Sequence, residues 1–161
     1  MPAPATFCTA CGSALDTARP HPTCTGCGRT QFRDPKVGVG VVVRDEHGRL
    51  LLVRRAVAPG KGLWALPAGF VDADEDPRAA AAREAQEETG LVVDVGAVVD
   101  VYPVPGRGGA SFFLAFEAEV VGGTLQAADD ALEARFFALD QLPELAFDST
   151  LDAARRTGRP R

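Results

Sequence analysis

The sequence predicts an α/β/α sandwich around a mixed sheet, preceded by a small cysteine-held module. Three observations predict it. Short apolar, β-branched runs are bounded by Gly, Pro and Asp turns, as strands are. Segments rich in helix formers stand among them without strict alternation, which argues for a mixed sheet rather than a regular parallel one. All four cysteines fall within the first 27 residues. With 161 residues, 46% hydrophobic and 24% charged, the chain can bury one good core plus an appendage. That composition excludes disordered and fibrous classes.

The elements follow in order. Cys8-Thr9-Ala10-Cys11 and Cys24-Thr25-Gly26-Cys27 are C-x2-C pairs with twelve residues between them, each followed by a glycine, Gly12 and Gly28. Such pairs point to a tetrahedral structural zinc site, the glycine turn letting backbone N–H groups face the sulfurs. Two disulfides are the competing reading. The opening MPAPATFCTACG has no basic region leading into an apolar one, so the expectation is a cytoplasmic, reducing setting, and that favours zinc. His21 lies between the pairs and reads as a loop residue, because four thiolates already close the shell. The zinc ribbon is expected over residues 1–34, with Arg33-Asp34-Pro35 as the join, and the main domain over 35–161.

In the main domain, 37–44 reads as a buried strand, Asp45-Glu46-His47-Gly48 as a turn with His47 facing solvent, and 49–54 as the return strand of a hairpin. A loop with Pro59 and Gly60 leads into a short strand over 62–69. Asp76 is a good N-cap and Pro77 loses no needed donor at the first helical position, so a helix is expected from there to Thr89, with Gly90 as its stop. Strands over 91–101 and 111–121 follow, separated by a Pro- and Gly-rich loop over 102–110 and closed by a Gly122-Gly123 turn. A last strand over 133–139, a helical turn over 140–145 capped by Asp140, and a helix over 149–156 capped by Ser149 complete the chain. The longest apolar runs are strand-length and too short to span a bilayer.

The first helix carries the most specific signal. Glu84, Glu87 and Glu88 stand at i, i+3 and i+4, which puts three carboxylates on one face. Residues 69–91 hold seven acids and two bases, a net of −5, equal to the net charge of the whole chain. Like charges so close repel, and a hard divalent cation relieves the repulsion; Mg²⁺ or Mn²⁺ suits an oxygen donor set and bridges readily to phosphates. The acidic pI near 5.0 speaks against nucleic acid as a partner. The basic end, Arg155, Arg156, Arg159 and Arg161, reads as a solvated terminus.

Gly69, Glu75, Arg83, Glu84, Glu87, Glu88 and Gly90 fill the fixed positions of G-x5-E-x7-R-E-U-x-E-E-x-G-U, a pattern that resembles the Nudix box. The hairpin, the LWALPAG lead-in and the closing EARFFALDQLPELAF extend the resemblance over residues 35–157. It implies a Nudix hydrolase that cleaves a diphosphate joined to another group. With the ribbon, the chain is similar to ADP-ribose or FAD pyrophosphatases, and less closely to zinc-ribbon NADH pyrophosphatases, whose QPWPFP-type motif it lacks. Pro103 and Pro105 come slightly early for the proline of some ADP-ribose enzymes. Tyr102 is too close to the box to match the tyrosine of dinucleoside polyphosphate enzymes, and LPAG departs from the LPGG of enzymes that clean oxidised triphosphates.

The resemblance implies that Glu84, Glu87 and Glu88 bind Mg²⁺ or Mn²⁺ with the backbone carbonyl of Ala68, that Arg83 orients them, and that Glu75 anchors the loop. The base is expected to be a glutamate of the box, with Asp129, Asp130 and Glu133 as alternatives. Arg54 and Arg55 are expected to clamp phosphate and Trp64 to stack on the substrate, with Phe32, Phe70 and Tyr102 as further aromatic candidates. The expected partner is a small nucleotide, with no nucleic acid and no membrane, and the resemblance is compatible with a homodimer. A non-catalytic sensor of ADP-ribose is the competing function from another class.

Overall fold

The computed structural model describes residues 5–18, 21–32, 34–104 and 111–157. The chain divides into two compact units, Met1–Lys36 with Val104–Ser111 and Val37–Pro103 with Phe112–Arg161.

In the first unit, β1 (Leu15–Asp16) pairs antiparallel with β2 (Thr23–Cys24), Leu15 opposite Cys24. Gly12 and Gly28 close the turns after each cysteine pair at φ +74° and +71°, their N–H groups on the carbonyls of Cys8 (2.9 Å) and Cys24 (3.0 Å). Among the described residues the buried apolar cluster here is Cys8, Leu15 and Cys24. So small a core cannot offset chain entropy alone, and the cysteines supply most of it.

The second unit is built from β3 (Lys36–Val43), β4 (Leu50–Arg55), β5 (Trp64–Ala65), β6 (Ala68–Phe70), α1 (Pro77–Thr89), β7 (Leu91–Val104), β8 (Ser111–Gly123), β9 (Ala131–Phe137) and α2 (Asp148–Arg156). One sheet runs β6-β3-β8-β7 and the other β5-β4-β9. The named pairs β3–β6, β4–β5 and β4–β9 are antiparallel, while Trp64 bridges Leu145 in parallel, so the pairing is mixed.

Strand periodicity explains the layering. Val39, Val41, Val43 and Leu51 pack in one core with Ala80, Ala81 and Ala85 of α1. Val42, Leu50 and Leu52, the alternate positions, pack in a second core with Ala153 and Ala154 of α2. Both faces of these strands are therefore covered by helices, the expected α/β/α arrangement. Arg44 fixes the end of α2, its Nη2 donating to the Ala154 carbonyl at 2.6 Å, where a cation complements the helix C-terminus.

Several expectations are corrected. The turn at 45–48 forms, Asp45 accepting from the backbone N–H groups of His47 and Arg49, but β3 and β4 share only the Arg44–Leu50 bridge and then part into different sheets. Their edges are claimed elsewhere: β6 and β8 flank β3, and β5 and β9 flank β4. The strand after α1 runs on to Val104, absorbing Tyr102 and Pro103 from the expected loop, while Pro105 lies outside the described residues. Gly122 and Gly123 end β8 instead of forming a free turn, and Gly123 lies so close to Gly90 and Leu91 that a Cβ would meet their backbone. The last strand is Ala131–Phe137. No helical turn forms after Asp140; a single turn closes through Gln141 N–H to the Ala138 carbonyl at 3.0 Å. The cap of α2 is Phe147, which makes no side-chain cap bond, and Ser149 lies inside the first turn.

Candidate active site

The acidic helix is defined locally at both ends. Asp76 accepts from the N–H groups of Arg78 (2.8 Å) and Ala79 (3.3 Å), Pro77 occupies the first turn, and Gly90 at φ +70° donates to the Gln86 carbonyl. Fully buried Ala80, Ala81 and Ala85 seat one face of α1 in the first core, and α1 also packs on β6 and β9. The glutamates then emerge along the margin of that buried face and differ in exposure. Glu88 is buried, Glu84 mostly buried with a side-chain exposure of 14%, and Glu87 half-exposed at 46%.

Two donors hold the three carboxylates, a backbone N–H for Glu88 and one arginine nitrogen for Glu84 and Glu87. Glu88 Oε2 accepts from the Ala68 N–H at 2.9 Å. Arg83 Nη1 donates to Glu84 at 2.8 Å and to Glu87 at 3.1 Å. Its Nε and Nη2 form a bidentate pair with the two oxygens of Glu75, both at 2.9 Å, and Nη2 also reaches the Phe70 carbonyl at 3.1 Å. Glu75 in turn accepts from the Asp72 N–H at 3.1 Å. One guanidinium thus ties the loop, β6 and two helix carboxylates together, as a planar five-donor fork can. Gly69 completes the arrangement: a Cβ there would overlap the carboxyl group of Glu84, so this side chain lies directly over the β6 backbone.

The electrostatics follow from burial. Desolvation pushes the Glu88 carboxyl up to about 7 against the help of the Ala68 N–H, with Glu84 and Asp130 adding repulsion and Arg55 opposing it. Glu84 is raised as well, chiefly by burial, with Glu87 and Asp129 adding to the rise. Glu75 is held down to about 2 by the hydrogen bond from Arg83 and then by the Asp72 N–H. The charges of Asp129 and Asp130 therefore reach this helix. The loop that carries them is stapled to it by Ala128 N–H on the Glu88 carbonyl (3.2 Å) and Gln126 N–H on the Thr89 carbonyl (2.8 Å). Asp129 adopts φ +50°, an uncommon conformation for a non-glycine residue.

The expected substrate residues fare differently. Arg54 is engaged, donating to Glu133 at 2.8 Å and to the Gly62 carbonyl at 3.1 Å, which also pairs off Glu133 as a base candidate. Arg55 spends its Nε on the Pro59 carbonyl at 2.7 Å, and its charge reaches Glu88. Trp64 is a correction: it is buried in the second core with its ring edge-on to Phe137 at 4.7 Å, so it fills the core rather than stacking on a base. Residues 144–146 bracket it, through its N–H on the Glu144 carbonyl and the Ala146 N–H on its own carbonyl, a long-range cover that the LWALPAG motif does not announce. Tyr102 donates to Asp152 at 2.8 Å and ties β7 to α2. Phe70 and Phe32 are exposed, Phe32 lying 4.9 Å from the His21 ring.

In the first unit the four cysteine sulfurs lie within 4.8 Å of one another and form no disulfide. Cys8 and Cys27 are 3.8 Å apart, and Cys11 and Cys24 3.4 Å, near the edge of a tetrahedron whose metal–sulfur bonds are about 2.3 Å. The Cys27 N–H points at the Cys24 sulfur from 3.3 Å and lowers that thiol, while Ser13 holds Cys11 down to about 6. N–H groups aimed at sulfur favour thiolates, and this cluster could hold zinc.

Residues 34–156 match the NUDIX domain. The chain belongs to the Nudix hydrolase family. Over 119 residues, 73% of this chain and 70% of the relative, it is 44% identical to an ADP-ribose pyrophosphatase of Methanocaldococcus jannaschii. A NAD-capped RNA hydrolase NudC of Pseudomonas aeruginosa is 32% identical over 147 residues, 86% of this chain and half of that protein. The crystal structure of a NUDIX hydrolase from Nitrosomonas europaea superposes with a TM-score of 0.84 at 28% identity, covering 97% of this chain and 95% of that one. As a Nudix hydrolase the chain is a pyrophosphohydrolase, and Nudix enzymes generally use divalent metals. No helix among the described residues is long and apolar enough to cross a membrane.

Proposed function

We propose that this Nudix hydrolase is a metal-dependent pyrophosphatase for a nucleoside diphosphate linked to another moiety, ADP-ribose first and FAD second. The observation that carries metal dependence is the buried Glu88. A carboxylate pushed up to about 7 beside two further glutamates is costly to ionise without a cation. The donors fit a hard divalent ion: oxygen ligands only, on a helix face beside the backbone of Ala68 and Gly69. Glu84, Glu87, Glu88 and the Ala68 carbonyl would hold Mg²⁺ or Mn²⁺. When bound, such an ion neutralises the diphosphate and makes a bound water more acidic.

The chain's own residues do the rest. Arg83 keeps Glu84 and Glu87 oriented, and Glu75 keeps Arg83 in place. A glutamate of the box takes the proton of the attacking water, with the charges of Asp129 and Asp130 reaching the helix from the loop before β9. Arg55 steadies a phosphate. Residues 35–161 form the hydrolase domain, and residues 1–34 form a structural zinc ribbon whose closed four-thiolate shell does no chemistry.

ADP-ribose leads because the 44% identical relative is an ADP-ribose pyrophosphatase. NADH or a related NAD-containing substrate is the second reading, favoured by the match to NudC over 86% of this chain. The deciding experiment incubates the protein with Mg²⁺ or Mn²⁺ and ADP-ribose, FAD, NADH, dinucleoside polyphosphates and oxidised nucleoside triphosphates, and compares kcat/KM. ADP-ribose or FAD should rank first. NADH ahead of both would overturn the preference, and binding without product would make the chain a sensor.

A further inference from the structure

Adjacent arginines at the end of β4 have opposite fates. Arg54 is consumed by Glu133 and Gly62, as described above. Arg55 is anchored at Nε by the Pro59 carbonyl, and among the described residues its two terminal amino groups have no partner. Beyond it, the guanidinium lies 5.3 Å from the centre of the Phe147 ring. Its charge is felt by Glu88. A half-engaged guanidinium thus lies beside an aromatic ring that is 37% exposed, near enough to the carboxylate helix for its charge to reach Glu88.

The chain just before this ring is held by backbone hydrogen bonds. The Ala146 N–H donates to the Trp64 carbonyl at 2.8 Å, the Trp64 N–H to Glu144 at 3.0 Å, and Gly60 packs so closely on Ala146 that a Cβ there would approach it to 2.7 Å. Phe147 makes no cap bond to α2 with its side chain and is absent from both core clusters. A part-exposed aromatic beside a phosphate-competent arginine has the parts of a nucleotide subsite, since a flat ring stacks on an aromatic face while the guanidinium takes an anionic oxygen.

We propose that Arg55 and Phe147 form the nucleoside end of the substrate site, Arg55 binding a phosphate oxygen and Phe147 stacking on the flat ring. Phe147 is then a specificity-determining residue: it selects diphosphates that carry an aromatic ring. This deepens the pyrophosphatase reading and rests on it.

The test compares two probes in Mg²⁺, α,β-methylene-ADP-ribose, which carries adenine, and methylenediphosphonate, which has no ring. Phe147→Ala and Phe147→Leu should each weaken the adenine probe about tenfold, while Phe147→Tyr stays within about twofold of wild type. Methylenediphosphonate should bind all three as it binds wild type, and Arg55→Ala should weaken both probes. The Leu variant keeps apolar bulk without a ring, so it separates stacking from packing if the Ala variant melts early. Unchanged adenine-probe binding in Phe147→Leu, or equal weakening of both probes, overturns the subsite. Failure of this subsite in a wild type that does hydrolyse ADP-ribose leaves the pyrophosphatase reading standing, whereas a wild type inert toward every nucleoside diphosphate overturns both.

Discussion

In the cysteine module four donor sulfurs lie within 4.8 Å of one another, whereas the three glutamates of α1 share a helix face but are divided between two donors, the Ala68 N–H for Glu88 and Arg83 Nη1 for Glu84 and Glu87. The sulfurs converge because two short turns and one two-residue strand pair bring them together, and two of the four cysteines, Cys8 and Cys24, form with Leu15 the buried cluster among the described residues of that unit. The glutamates sit on a helix that is stable for other reasons: Asp76 caps it and buried alanines seat it. One region therefore draws on its candidate ligands for its buried cluster, and the other buries a candidate ligand, Glu88, against the cost of desolvation. The comparison separates a metal that would act as structure from one that would act as chemistry.

The largest expected effect breaks the second region without touching its fold. Glu88→Gln keeps an acceptor for the Ala68 N–H and deletes a charge that burial disfavours. Hydrolysis should fall about a thousandfold or more, as when a group acting in the transition state is lost. The melting temperature in metal-free buffer should hold or rise, and the stabilisation by Mg²⁺ expected of wild type should be smaller in this variant. Near-normal turnover in this variant would sink the assigned mechanism.

The corresponding change in the first region should do the reverse. Cys24→Ser removes a buried sulfur that both packs and receives the Cys27 N–H. Structural zinc contributes folding energy outright, so wild type should bind about one Zn per chain and the variant should lose it. Hydrogen exchange should show residues 5–32 losing protection while α1 keeps it. Wild-type protein that carries no zinc and two disulfides would replace the metal with the alternative.

What could be read from sequence follows the same division. The cap, the stop and the i, i+3, i+4 spacing of α1 are local, as are both cysteine pairs, and all of them stand where their residue types place them. What could not be read is what long-range pairing decides. The turn at 45–48 announces a hairpin, but β6, β8, β5 and β9 take the strand edges that a hairpin would use. Trp64 and its neighbours look like a substrate-facing lead-in until residues 144–146 cover them. Arg54 and Arg55 are indistinguishable in sequence; the register that sets Arg54 opposite Glu133 separates them. Glu87 and Glu88 are likewise adjacent glutamates, and only packing makes one half-exposed and the other buried.

The smallest expected effect sharpens the comparison at the loop that joins β6 to α1. Glu75 is held down to about 2 by Arg83 and the Asp72 N–H, against an ordinary value of 4.5. A carboxyl whose folded value lies below its unfolded value contributes stability that is fully present above about 4.5 and is lost as pH falls toward about 2. Wild type should therefore be more stable than Glu75→Gln at pH 6, and the gap should close between those two values. Urea unfolding of both proteins in metal-free buffer across that range measures it, and common titrations such as those of Glu84 and Glu88 cancel in the difference. A gap that persists unchanged into acid would mean that Glu75 holds Arg83 by shape and neutral hydrogen bonding. In that case the loop would be braced by packing, as α1 is, and the guanidinium network would position the carboxylates without depending on the charge of Glu75.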